Sequence, residues 1–438
     1  MSDTHAQTVL YVRETMLPQA APPVGQSGPI KWIRENLFSS VLNATLTLVS
    51  IWFVWFVVSH IYPWFANSIW VANSLTECRA IRDATVGPDA SAACFAVITD
   101  RWQQLLFGFY PSSQYWRPVA ALVLFILGIL PILFASLPRK LLIGTLVLPF
   151  VLFFLLWGGS IWGPVVVALG FVVSWASVRF LSPVIGSLAG TIGAIILPVV
   201  FWLFLAGPIA GVLQDILPIG IRAIQSKQFG GFTLSVIIGI AGIVLSLPLG
   251  ILLALGRQSD MLIVKWLSTS FIEIIRGVPL IVWLFTASLL LNYFLPPGTN
   301  FDLMLRVIIM VTLFASAYIA EVVRGGLAAL PKGQYEGADS LGLNYWQSMQ
   351  LIILPQALKI SIPGIVNTFI GLFKDTTLVV FIGLLDPLGL TNSIRASTDW
   401  NGIYWELYVF IALMFFVACF SMGRYSLYLE KKLQREHR

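Results

Sequence analysis

The sequence predicts an all-α polytopic membrane protein of about ten transmembrane helices, with both termini cytoplasmic. Three observations carry that reading. Of the 438 residues, 58% are hydrophobic and only 11% charged, whereas soluble domains carry about 25% charged residues. An ordinary cytosolic enzyme is thereby excluded. Long runs hold no Asp, Glu, Lys or Arg at all: residues 38–59, 118–138, 141–178, 180–214, 228–256, 277–301, 307–320, 360–373, 376–385 and 407–423. The positive charges, finally, fall unevenly on the two sides that these runs define.

A spanning helix needs about 20 apolar residues, and runs this long without period-2 alternation are helices, since only helices and closed barrels satisfy the backbone in lipid. The run from 141 is too long for one helix and is punctuated by Gly158, Gly159, Gly163 and Pro164. Divided there, the chain gives spans at about 38–59, 118–137, 141–157, 164–178, 184–206, 232–256, 277–294, 304–323, 357–385 and 403–423. With the N-terminus inside, the inner segments carry 17 Lys and Arg and the outer ones 8, with Lys374 within a span. That bias orients the chain. The net charge of +6 therefore reads as a membrane face, with no nucleic-acid partner. The first apolar run follows 37 other residues, the wrong position for a cleaved signal peptide.

Residues 1–37 read as a cytoplasmic tail, mobile around its prolines. Residues 38–228 form a transmembrane extension whose sizeable outer loop, 60–117, carries Trp64, Trp70, Trp102 and Trp116. These suit an interfacial belt or the packing of a small cap. Cys78 and Cys94 fall in that loop. A bond between them would add about 3 kcal/mol in the chain-entropy model; the alternative is two unpaired thiols. Residues 229–430 form a second region, in which the segment 324–354 is long, polar and rich in Gly and Ala. Segments of that kind are usually functional or disordered. Glu336, Asp339 and the GLNYWQS stretch argue for an ordered helical hairpin.

The hairpin reads Glu336-Gly337-Ala338-Asp339-Ser340-Leu341-Gly342, then nine residues, then Ile352-Ile353-Leu354-Pro355. This resembles the EAA loop of ABC importer permeases: EAA, three residues, Gly, nine residues, I-x-L-P. The one departure is Gly337, where the family usually has Ala, which loosens a helix by about 1 kcal/mol. Gly342 permits the turn that ends the short helix, and Pro355 opens the next. The strings FIEIIRGVPLIVWL (271–284), AYIAEVVRGG (317–326), PKGQY (331–335), QAL (356–358) and FKDTTL (373–378) are similar to the polar amino-acid branch, the histidine, glutamine and arginine permeases. That likeness covers about residues 229–430. The long N-terminal region resembles the long permease subunits of general L-amino acid importers.

The resemblance implies a five-helix type I importer core that acts beside a second, related permease subunit. Two ATP-binding subunits would bind ATP and Mg, and an extracytoplasmic binding protein would deliver L-amino acids. Glu336, Gly337, Ala338, Asp339, Gly342, Leu354 and Pro355 would form the coupling element. None of the nine lysines precedes Ser or Thr, so the phosphate-binding GxxxxGK[ST] pattern is absent, and this chain itself is expected to bind no cofactor.

Lys374 and Asp375 lie deep in the ninth span. Charged residues there are costly and face a cavity or a partner. With Thr376 and Thr377 they are candidates for an amino-acid path, the Asp375 carboxylate meeting a substrate ammonium; a structural role at a subunit interface is the alternative. Glu321 with Arg324 and Glu273 with Arg276 read as i, i+3 ion pairs at helix ends; Pro248, Pro279 and Pro363 could kink spans, although Pro is common in membrane helices. His5, His60 and His437 share no helical face, and neither a metal site nor a catalytic constellation is expected. Two inverted five-helix repeats of a secondary transporter fit the span count less well, because the 324–354 segment would have a counterpart of only about six residues. The extension is expected to contact the binding protein through 60–117.

Overall fold

The computed structural model describes residues 28–134, 136–290, 293 and 302–435. Most of the tail and the end of the 277–294 span lie outside the described residues. Among those described, nine helices are long and apolar enough to cross a membrane, or ten if one sharply bent pair counts as a span. The chain divides into two units, residues 1–69 with 79–94, and residues 70–78 with 95–438.

The first unit holds α1 (Gly28–Asn36) and α2 (Val41–Ala66). Ser40 caps α2 through its Oγ, 3.2 Å from the Asn43 amide. At the far end of α2 the chain folds back, the Ala93 amide donating to Trp64 O and the Ile69 amide to Ala93 O, both at 2.8 Å. The helix α3 (Leu75–Thr85) contributes residues to both units. Cys78 and Cys94 are each disulfide-bonded, and Cys419 is a free thiol.

The second unit continues with α4 (Ala96–Phe107), α5 (Trp116–Leu133), α6 (Leu142–Trp157), α7 (Trp162–Ile185), α8 (Ser187–Val200) and α9 (Ala206–Ile216). A π-helical turn over Phe201–Leu205 joins α8 to α9, so the fifth span runs past its expected end at 206. Two-residue strands β1 (Gly159–Ser160) and β2 (Gly220–Ile221) pair antiparallel, beside a buried cation. The Arg117 guanidinium, with no exposed surface, donates from Nε to Leu155 O at 2.6 Å and from Nη1 to Arg222 O at 2.8 Å. The carbonyls ending α6 favour a positive charge there. Gly158, at φ +69°, makes this close approach feasible, since a Cβ would stand 2.2 Å from Arg222 O.

Next come α10 (Gly231–Gln258), α11 (Leu262–Arg276), α12 (Leu280–Phe285) and α13 (Leu303–Ala328). The seventh span differs from expectation. Residues 262–276, read as an inner connection because of Lys265, Glu273 and Arg276, form the helix α11. Its axis meets that of 280–290 at 101°. Pro279 is the physical reason: it lacks an N–H and drives Val278 away from helical dihedrals. Pro248 and Pro363, in contrast, lie inside unbroken helices.

The chain ends with α14 (Lys332–Ser340), α15 (Tyr345–Ser348), α16 (Leu354–Asp375), α17 (Pro387–Arg395) and α18 (Trp405–Arg435). A buried cluster joins the extension to the later helices: Tyr110, Ala121, Leu156 and Ile224 pack with Phe229, Leu234 and Ile238, and with Leu280, Val311 and Leu372. Within the second unit, α4 meets the 399–400 turn, where the buried Trp400 indole donates to Asp100 Oδ2 at 2.8 Å. Trp70, Trp102 and Trp116 are exposed, and Trp64 is half-buried.

Candidate functional site

The 324–354 segment is an ordered helical hairpin built of α14 and α15. Of α14 only Ala338 is buried, at 1% exposure. Gly333 and Gly337 have no atoms within 4 Å of a would-be Cβ, so the face that carries Glu336 and Asp339 is open. Asp339 and Ala338 carbonyls accept from the Gly342 amide (2.9 Å) and the Leu343 amide (3.4 Å). With Gly342 at φ +69°, this is the paired bonding of a Schellman end. Asn344 then starts α15: its Oδ1 accepts from the Gln347 amide at 2.9 Å, and its own amide donates to Gln347 Oε1 at 3.1 Å, a reciprocal cap.

Two further contacts seat the hairpin. Gln356 Nε2 donates to Gln334 Oε1 at 2.9 Å, and Tyr335 Oη to Leu327 O at 3.4 Å. Burial pushes the Tyr335 hydroxyl above its ordinary pKa, with Tyr345 adding to the rise. Met349, Ile353 and Ala357 are buried against Ile272, Ile319 and Val323. Pro355 stands in the first turn of α16, as expected, but what precedes it is helix rather than loop. The helical run is continuous from Tyr345 to Ile382, and a π-helical turn over Met349–Ile353 precedes the proline. A wider turn accommodates the donor that proline lacks.

Four apolar side chains of the hairpin face outward: Leu341 (73% exposed), Tyr345 (50%), Trp346 (65%) and Leu351 (66%). Tyr345 and Trp346 are exposed at the start of the helical run that follows the turn.

Beside the hairpin root lies a charged network. Glu321 Oε1 accepts from Arg324 Nε at 2.9 Å, the expected i, i+3 pair. The expected Glu273–Arg276 pair is not formed. Glu273 takes Arg257 at 2.9 Å, and Arg276 lies 3.7 Å from Glu321. Tertiary neighbours outcompete the local partner.

At Asp375 the α-helix gives way to a 3₁₀ segment, Thr376–Ile382. Lys374 is exposed and Asp375 half-buried. Thr376 is buried, its hydroxyl turned back to Phe373 O at 2.8 Å, and Thr377 Oγ1 donates to Lys374 O at 2.9 Å. Both hydroxyls are thus engaged by their own backbone in this conformation.

Comparison with known proteins decides the family. The model for the binding-protein-dependent transport system inner membrane component matches residues 246–435. Over 439 residues, 100% of each chain, the sequence is 58% identical to the glutamate/glutamine/aspartate/asparagine transport system permease protein BztC of Rhodobacter capsulatus. The chain belongs to the amino-acid ABC transporter permeases. It is also 40% identical over 402 residues, 92% of each chain, to the inner membrane amino-acid ABC transporter permease protein YhdY of Escherichia coli. A crystal structure of an amino acid ABC transporter with histidines shares 30% identity, over 45% of this chain and 90% of that one, with a TM-score of 0.41. This permease is a multi-pass inner-membrane protein. Permease subunits of its family work with ATPase and binding-protein partners.

Proposed function

We propose that the hairpin of α14 and α15 is the element through which this permease is driven by a separate ATP-hydrolysing subunit. The observation that carries the reading is a doubly capped turn, Gly342 closing α14 and Asn344 opening α15, with Leu341, Tyr345 and Trp346 exposed around it. Exposed apolar patches rimmed by polar residues mark partner surfaces. Glu336, Gly337, Ala338, Asp339 and Gly342 shape the docking helix, and Leu354 and Pro355 begin the helix that carries its displacement inward.

In this reading residues 1–37 are the cytoplasmic tail, 38–228 the extension, and 229–430 the permease core. The working unit pairs this chain with a second, related permease subunit on two ATPase subunits, which bind ATP and Mg; this chain hydrolyses nothing. An extracytoplasmic binding protein delivers acidic amino acids and their amides, the class named for the full-length relative BztC, and meets loop 60–117. Asp375 takes the substrate ammonium, with Lys374, Thr376 and Thr377 lining the same stretch of path.

The test is reconstitution with the cognate ATPase. A side chain at φ +69° costs roughly 1–2 kcal/mol, so Gly342→Val should loosen the hairpin end without touching the spans. Loss of both ATPase association and ATP-driven uptake is expected. Uptake that persists without any ATPase, driven by an ion gradient, would overturn the proposal.

A further inference from the structure

Five charged side chains from α10, α11 and α13 converge where those helices meet the hairpin. Glu321 of α13 is their centre. Its Oε1 accepts from Arg324 Nε at 2.9 Å and Nη2 at 2.5 Å. Its Oε2 lies 3.1 Å from Arg257 Nη1 of α10 and 3.7 Å from Arg276 Nη1 of α11. Arg257 Nη1 also reaches Glu273 Oε1 of α11 at 2.9 Å. The Arg276 guanidinium stands 5.4 Å from the centroid of the Tyr318 ring, within cation–π range.

We propose that Glu321 is a positioning residue for transport, locking the hairpin-side ends of α10, α11 and α13 into one body that carries hairpin movement to the bend at 277–279. The proposal rests on the reading that the hairpin receives the ATPase. Three features support it. Arg276 is the last residue of α11, directly before the 101° bend, so the Glu321 contact ends where the span breaks. Across the bend, Trp283 Nε1 donates to Ile275 O at 3.2 Å, which ties the second arm to the first. On its other side α13 is pressed to α16: Gly326 sits so close that a Cβ there would stand 2.5 Å from Ala357 O. The helix that leaves the hairpin is thereby joined, through α13, to the bend.

The chemistry explains why a carboxylate occupies the centre. An ionised carboxylate offers about four lone-pair sites on two oxygens, enough for three guanidinium groups from three helices. Without it, three cations and the single carboxylate of Glu273 remain, and Arg257, Arg276 and Arg324 repel one another. Glu321 is the more enclosed of the two acids, its side chain 24% exposed against 55% for Glu273. Among the described residues Glu273 forms its one ion pair with Arg257, so its loss leaves the Glu321 links in place.

The experiment uses the complete importer in liposomes, with uptake and ATP hydrolysis measured together. For Glu321→Gln, normal assembly and sustained hydrolysis are expected, with amino acid taken up per ATP reduced about tenfold, an interaction loss of about 1.4 kcal/mol. Glu273→Gln should change that ratio by less than about twofold. Should Glu321→Gln fail to assemble, Arg276→Gln and Arg324→Gln decide the matter. The first cuts a link between helices and should lower uptake per ATP; the second cuts one within α13 and should not. Native uptake per ATP in Glu321→Gln would overturn the proposal. So would equal ratios in Arg276→Gln and Arg324→Gln, or a parallel fall of assembly, hydrolysis and uptake in all three variants. A native complex without ATP-driven uptake would overturn the underlying reading, and the proposal with it.

Discussion

Asp386 shows how far one residue's surroundings set its chemistry. It has no exposed surface and caps α17, with Oδ1 accepting from the Gly389 amide at 2.8 Å. Oδ2 has no hydrogen-bond partner among the described residues. Burial pushes its pKa up to about 6, against the lowering effect of backbone amides. In an unfolded chain the carboxyl titrates near 3.9. The folded pKa is the higher one, so the acid's stabilising contribution is complete below about pH 4 and is lost as pH rises through about 6. Asn also caps helices well and does not ionise. Asp386→Asn should therefore match the native protein in thermal unfolding at pH 4 and exceed it at pH 8, by up to about 3 kcal/mol. Equal melting of the two proteins at pH 8 would contradict this assignment.

At the scale of elements, nine of the ten expected spans were legible among the described residues, because charge-free runs of the right length leave the backbone no other solution in lipid. The hairpin was legible too, since Gly342 and the polar 336–347 stretch carry local turn and cap chemistry, and the Schellman bonding of Ala338 and Asp339 realises it. What escaped was non-local or mixed in signal. The helix α11 looked like a connection because Lys265, Glu273 and Arg276 interrupt its apolar pattern, yet Glu273 and Arg276 find partners in Arg257 and Glu321. The 101° bend rests on Pro279, which sequence alone leaves equally compatible with a mild kink. The Glu321 network joins residues up to 64 apart in sequence, so no window could reveal it. For Lys374 and Asp375, sequence located the charges; it could not show that the Thr376 and Thr377 hydroxyls turn to their own backbone.

Across the whole molecule, the extension from residue 95 onward is not a separable accessory. Phe229, 2% exposed, stacks near Trp157 (ring centroids 4.6 Å apart) and meets Tyr110 edge-on (5.3 Å), so one cluster closes both the extension and the later helices. In lipid such contacts act through packing rather than removal from water. Phe229→Ala should leave a cavity and destabilise the protein by about 3 kcal/mol or more, seen as a lower melting temperature and as reduced uptake although the hairpin is unchanged. A variant with native melting behaviour would show that the extension and the later helices stand independently.

The central claim, that this permease is driven through its hairpin, is tested most directly by cross-linking from the hairpin surface in the assembled importer. Leu341→Cys, in a chain with Cys419→Ser and the Cys78 and Cys94 disulfide state retained, places one free thiol on that surface. The account expects a short bifunctional reagent to join position 341 to the ATPase subunit, and the cross-linked complex to lose ATP-driven uptake. A thiol at 341 that remains freely reactive in a fully active complex, with no cross-link to the ATPase, would contradict it.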